Sequence, residues 1–225
     1  MIEPTPVSTK DRILDAAEHL FAERGFASTS LRDITAEAGA NLAAVNYYFQ
    51  SKDALIQAVF ARRIRPVNER RLAMLDAAEA KAGRRPVPLQ HLVRAFIEPV
   101  VKVCGEREGA NAACLLGRAF VEPGDVFERL FQRQLSGVVR RFIAAFRRAM
   151  PGVGDTELFW RFHFAVGVMG HTLAGLRHIR ATSGGRCDVS DAGGLVERLI
   201  PFIAAGLKAP ARATHRGGRK CTGSR

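Results

Sequence analysis

The chain lacks the marks of a membrane protein, an exported protein and the common hydrolases. No stretch reaches the ~18 consecutive apolar residues of a membrane span. The nearest, Phe162 to Leu176, is broken by His163 and His171, so no membrane partner is expected. The opening MIEPTPVSTKDR has no apolar h-region, which points to a cytoplasmic rather than an exported protein. Cysteine is scarce, and Cys104, Cys114, Cys187 and Cys221 are irregularly spaced without a CxxC pair; free thiols are expected, with no disulfide framework. No GxSxG, HExxH, Walker or dinucleotide-binding pattern occurs, and Glu98, Glu122 and Glu157 have no spacing that argues for paired carboxylates. The chain therefore reads as neither an enzyme nor a cofactor carrier, with no catalytic residues. His163, His171 and His178 share one helical stretch, but neighbours lie two turns apart, about 11–12 Å along the axis. That is too far for one metal ion to bridge, so no metal site is expected.

Strand-like alternation is also poor, whereas helical periodicities recur throughout, so the fold class is all-α. With 225 residues, 47% of them hydrophobic, the chain has enough apolar material for one small and one larger domain. The net charge of +12 suggests nucleic acid until its distribution is read. Residues 1–80 hold 10 basic and 11 acidic side chains, residues 81–150 hold 13 and 6, and residues 209–225 hold 5 and none. The excess lies outside the one stretch that carries a motif, so function has to be argued from that motif.

The stretch is Thr29 to Lys52, TSLRDITAEAGANLAAVNYYFQSK. Thr29 and Ser30 suit a helix start, Leu31, Ile34 and Ala38 fall on one helical face, and Gly39 suits the left-handed residue that ends a helix. Asn41 then caps a second helix of about two turns. At roughly 100° per residue, Leu42, Ala43, Asn46 and Tyr47 share one side while Ala44, Val45 and Tyr48 share the other. A face of alanine and asparagine suits close approach to a base edge, because a helix fits the major groove and asparagine can bond adenine bidentately. Phe49 turns inward, and Lys52 follows the cap Ser51 at the start of the next helix, within reach of a phosphate.

With the preceding helix, the stretch resembles the DNA-binding domain of the TetR family of bacterial transcriptional regulators. The matching residues are Ile13, Ala16, Ala17, Phe21, Gly25, Phe26, Thr29, Ile34, Ala38, Gly39, Tyr48, Phe49, Ser51, Lys52 and Leu55. Two departures stand out: Asn46 replaces a frequent tyrosine, and Leu42-Ala43-Ala44 replaces a frequent Lys-Gly-Thr. The run NLAAVNYYF looks most like the CecR-like branch. The resemblance implies an N-terminal three-helix helix-turn-helix domain over 9–55 and a larger helical ligand-binding and dimerisation domain over 56–208. It also implies a homodimer, double-stranded operator DNA and a small-molecule effector as partners, and action as a repressor that the effector releases. On this reading Leu42, Ala43, Asn46 and Arg32 face bases, while Thr29, Tyr47 and Lys52 hold phosphates. The alternative is a helical small-molecule-binding protein or enzyme with a vestigial helix-turn-helix.

In the remainder, helices are expected over 9–24, 51–81 with Pro66 kinking or dividing it, 89–104, 112–121, 126–150, 158–182 with Asp155 as its cap, and 191–208. Residues 209–225 are basic and poor in apolar side chains, so a disordered tail is expected there. Phe96, Phe120, Trp160, His163, Met169 and His171 are the candidate effector-pocket residues. The family resemblance places the dimer interface on the last two helices.

Overall fold

The computed structural model describes residues 8–105, Leu115 and residues 125–210, and every regular element among them is helical. The first three helices, α1 (Thr9–Arg24), α2 (Leu31–Ala38) and α3 (Leu42–Phe49), are bounded by their own polar residues. The Ser8 hydroxyl accepts from the Asp11 amide at 3.1 Å. Ser30 and Asp33 close a reciprocal capping box, and Asn41 Oδ1 accepts from the Ala44 amide at 2.8 Å. Each satisfies an N–H that a helix start leaves without an intrahelical partner. Gly39, left-handed at φ 57°, ends α2 and permits the tight turn into α3.

The next helix, α4 (Lys52–Ala82), is capped by Ser51 and contains Pro66. The proline does not divide it. Leu55, Ile56, Val59 and Phe60 of α4 bury against Ile13, Leu20, Phe21, Ile34 and Val45 to form a first core. From Ile64 onward the buried residues of α4 belong to a second core. Both cores therefore share this helix.

The second core is completed by α5 (Leu89–Gly105), α7 (Ser136–Ala149), α8 (Asp155–Ala174) and α10 (Ala192–Lys208), whereas Leu130 of α6 (Val126–Leu130) buries in the first core and the short α9 (Leu176–Thr182) follows α8. Helix α5 lies between α4 and α10. Phe96 is central, with ring centroids 5.0 Å from both Phe142 and Phe162, the tilted geometry aromatic pairs prefer.

Three expectations need correction. The helix over 126–150 holds a π-helical turn at Phe131–Leu135 between α6 and α7, where the Gln134 carbonyl accepts from Asn68 Nδ2 at 2.8 Å. The helix over 158–182 breaks at Gly175, where a Cβ would lie 3.0 Å from the His171 carbonyl. Asp155 does not cap α8: it sits in the first turn and accepts from Arg147 Nε at 2.8 Å, while Gly154 occupies the cap. The helix expected over 112–121 falls outside the described residues except for Leu115, and the tail from residue 211 also falls outside them. No helix among the described residues is long and apolar enough to cross a membrane.

Carboxylate–guanidinium pairs tie the outer faces together. Glu79 of α4 accepts from Arg141 Nη2 at 2.6 Å and also pairs with Arg148. The Arg141 hydrogen bond, ahead of all other influences, holds the Glu79 carboxyl below its ordinary value of 4.5. Lys102 does the same for Glu98. A depressed carboxylate contributes stability that is fully present above its unfolded value and is lost as pH falls through its folded value. The thermal midpoint should therefore fall as pH drops below that ordinary value of 4.5. Glu79→Gln combined with Glu98→Gln should flatten the decline in a calorimetric pH series; an unchanged slope would remove these pairs from the acid response.

Candidate nucleic-acid interface

Helix α3 is short, and only Val45 and Phe49 anchor it in the core. Its opposite side is open: Leu42, Ala43 and Asn46 are exposed, and Tyr47 is 80% exposed. These four share one face, as the helical periodicity predicts. Tyr48 differs from expectation. It stays 41% exposed and meets Tyr47 edge-on, with centroids 5.0 Å apart, because Val45 and Phe49 already fill the space beneath the helix.

The face does not stand alone. The start of α1 lies beside it, so that Thr9 and Arg12 line an open groove with Gly39, Asn41, Ala43 and Tyr47. Arg12 is exposed and its guanidinium lies 3.4 Å from Thr9 Oγ1. Arg32 is exposed at the start of α2 and Lys52 half-exposed at the start of α4. None of these three cations has a carboxylate partner among the described residues. Two acidic groups of α1 are engaged elsewhere: Asp15 and Glu18 pair with Arg62 and Arg63 of α4. Asp15 and Glu18 are thus neutralised away from α3, while Arg12, Arg32 and Lys52 keep their charge without such a partner among the described residues. Arg12 and Thr9 were not legible as site residues, because only packing of α1 on α3 brings them there.

Thr29 requires correction. It is 1% exposed, and its hydroxyl donates to the Gly25 carbonyl at 2.8 Å with the Leu20 carbonyl at 3.3 Å. It satisfies carbonyls at the end of α1 and does not present its hydroxyl to a phosphate. Asp33 in the capping box has its carboxyl held below the ordinary value, first by the Ser30 hydroxyl and then by the Ser30 amide. The charged form of the cap, which complements the positive end of α2, is therefore favoured.

The six expected pocket residues do not converge on one cavity. Phe96 and Met169 are core residues. Trp160, His163 and His171 lie on the exposed side of α8, and Phe120 lies outside the described residues. Trp160 and Phe164 stack there with centroids 5.8 Å apart, and Phe202 of α10 is 67% exposed.

Comparison with known proteins gives two family matches: residues 13–59 fit "Bacterial regulatory proteins, tetR family", and residues 94–206 fit "Tetracyclin repressor-like, C-terminal domain". The HTH-type transcriptional regulator UidR of Escherichia coli is 33% identical over 104 residues, covering 46% of this chain and 47% of UidR. The HTH-type transcriptional dual regulator CecR of Shigella flexneri is 26% identical over 165 residues, covering 70% and 72%. The chain thus spans about half the length of UidR and more of CecR. Among solved structures, FadR from Bacillus subtilis in complex with stearoyl-CoA superposes with a TM-score of 0.60 at 13% identity, over 88% of this chain and 98% of that one. At that identity the likeness concerns the fold alone.

Proposed function

Since the chain belongs to the TetR family of bacterial regulatory proteins, we propose that it is a transcriptional regulator that binds a palindromic operator as a homodimer and is released by a small-molecule effector. One observation carries the DNA half of this reading. The exposed face of α3 presents Leu42, Ala43 and Asn46 together, with Arg12 lining the adjoining groove and Arg32 and Lys52 at the starts of the flanking helices, all three without a carboxylate partner among the described residues. Asn46, Ala43, Leu42 and Arg32 would read base edges in the major groove, while Lys52, Tyr47 and Arg12 would hold phosphates and fix the register. Two such helices would enter successive major grooves, about 34–36 Å apart. The division at 9–55 and 56–208 assigns DNA reading to α1–α3 and effector binding and dimerisation to the rest. The relatives are named as regulators, which favours this reading over an enzyme. FadR was solved with stearoyl-CoA, which supports the effector half by showing that a fold of this kind can hold a ligand.

Selection of the purified chain against a randomised DNA pool tests the proposal. An enriched palindrome is the expected result; sequence-independent binding alone would overturn it.

The dimer would use the exposed side of α8, where Trp160 and Phe164 stack, together with the exposed Phe202 of α10, since exposed apolar surface of this kind marks an interaction site. Trp160→Glu with Phe164→Glu should give monomers in sedimentation at concentrations where the parent dimerises. Helical content should be retained, because neither ring enters the core. An unchanged association constant would move the interface elsewhere.

A further inference from the structure

The buried charged side chains Glu18, Arg71 and Arg161 find their partners inside the fold. Glu18 meets Arg62 and Arg63, Arg161 meets Glu157, and Arg71 donates through Nε to the Phe96 carbonyl at 2.7 Å. One exposed residue carries a strain that no partner offsets. Among the described residues, the backbone positions with positive φ are filled by Gly25, Gly39, Gly83, Gly184 and Gly185, with the single exception of Gln50 at φ 65°. A Cβ is disfavoured in that region, and glycine avoids the penalty.

Gln50 stands between α3 and α4. Its amide donates to the Asn46 carbonyl at 3.0 Å, and the following amide, of Ser51, donates to the Phe49 carbonyl at 2.7 Å. The second bond closes over Gln50 alone, with φ 65° and ψ −34°, a γ-turn of the rare and strained hand. The neighbours explain why the backbone bends so sharply. Phe49 is held in the first core at 5% exposure, and the Ser51 hydroxyl caps α4 by accepting from the Ala54 amide at 3.1 Å. A single residue therefore has to span two anchored helices. They do not explain the side chain, because glycine would make the same turn without strain. The glutamine is exposed and makes no hydrogen bond through its side chain among the described residues. Strain that the surroundings hold in place collects where a protein meets its ligand.

We propose that Gln50 is a further specificity residue for the operator, its side-chain amide hydrogen-bonded to the edge of an adenine in the major groove. The proposal rests on the regulator reading above and extends its readout to a base pair that Asn46 does not touch. Gln50 follows Ala43, Asn46 and Tyr47 by seven, four and three residues, so its position continues their open face. A turn of helix rises about 5.4 Å against about 3.4 Å per base pair, which separates the contacts of Asn46 and Gln50 by roughly one to two base pairs. Glutamine offers a donor and an acceptor side by side, which match N7 and N6 of adenine. A phosphate only accepts, and Lys52 two residues later already supplies a cation for it. The closed turn fixes the root of the side chain, so less freedom is lost when the amide engages a base.

The test is selection from a randomised DNA pool with the full chain and with its Gln50→Gly and Gln50→Glu variants. The parent consensus should hold an adenine that Gln50→Gly no longer requires, near the position that Asn46→Ala relaxes. Gln50→Gly should bind the parent operator roughly tenfold more weakly, the scale of one bidentate base contact. Its thermal midpoint should be no lower than the parent's, because glycine relieves the turn. Gln50→Glu, whose carboxylate only accepts, should exchange that adenine for cytosine. Strain relief alone produces no such exchange. An unchanged consensus in either variant, a Gln50→Gly loss equal on operator and random DNA, or a lower midpoint for Gln50→Gly would overturn the proposal. A parent chain that selects no palindrome would overturn the regulator reading and this proposal with it, whereas a palindrome indifferent to Gln50 overturns the proposal alone.

Discussion

Replacing Glu18 by alanine should lower the free energy of unfolding by about 3 kcal/mol, the lower end of the range for breaking a buried ion pair. The carboxylate is 2% exposed and accepts from Arg62 Nη2 at 2.5 Å and from Arg63 Nε at 2.8 Å. Its removal leaves Arg63 without a carboxylate partner among the described residues and Arg62 with Asp15 alone. Both retain partial access to water, with side-chain exposures of 27% and 32%, which keeps the loss from being larger. Asp15, 63% exposed, pairs with the same Arg62. Asp15→Ala should cost at most about 1 kcal/mol, as exposed pairs do. Denaturant unfolding of both variants decides the matter: equal losses would mean that burial of Glu18 contributes nothing. Glu18→Ala should also weaken operator binding, although the residue faces away from α3, because it sets the angle between α1 and α4.

The second large effect concerns the operator. Asn46→Ala should weaken binding to the selected sequence by about 1–3 kcal/mol and relax the preference at one base position. Its affinity for random DNA should hardly change. Lys52→Ala should behave in the opposite way, reducing binding to all sequences alike and lowering the salt slope by about one. Measuring both variants on operator and random duplexes across a salt series separates the roles. A uniform loss for Asn46→Ala would remove it from base reading and leave the exposed Leu42 and Ala43 as the specificity residues.

Much of this architecture could be read from the chain because its signals are local. Ser30 with Asp33, Asn41 and Ser51 mark helix starts through atoms three residues away, and Val45 and Phe49 fall on the inner face by periodicity alone. The misreadings share a different origin. Thr29 carries the same hydroxyl whether it caps a helix or faces a phosphate, and the position of the Gly25 carbonyl decides its fate. Asp155 was a natural cap until Arg147, eight residues earlier, engaged its carboxylate. Phe96 and Trp160 are both large aromatics on helices, yet one is buried and the other 56% exposed. Helix rotation in the packed fold separates them, and composition does not reveal that rotation. Arg71 had no signal at all, since an arginine among several on α4 reads as a solvated face until α5 covers it.

The continuity of α4 through Pro66 bears on how the molecule opens and closes. At about 1.5 Å per residue, its 31 residues form a single rod that enters both hydrophobic cores. Unzipping either core strips apolar surface from the same rod, so the two should exchange their slowest amide protons as one cooperative unit rather than as separate foldons. A fragment ending before Ile64 would keep the residues proposed to read DNA but lose the remainder of that rod. Its amides should then exchange far faster than the same amides in the whole chain.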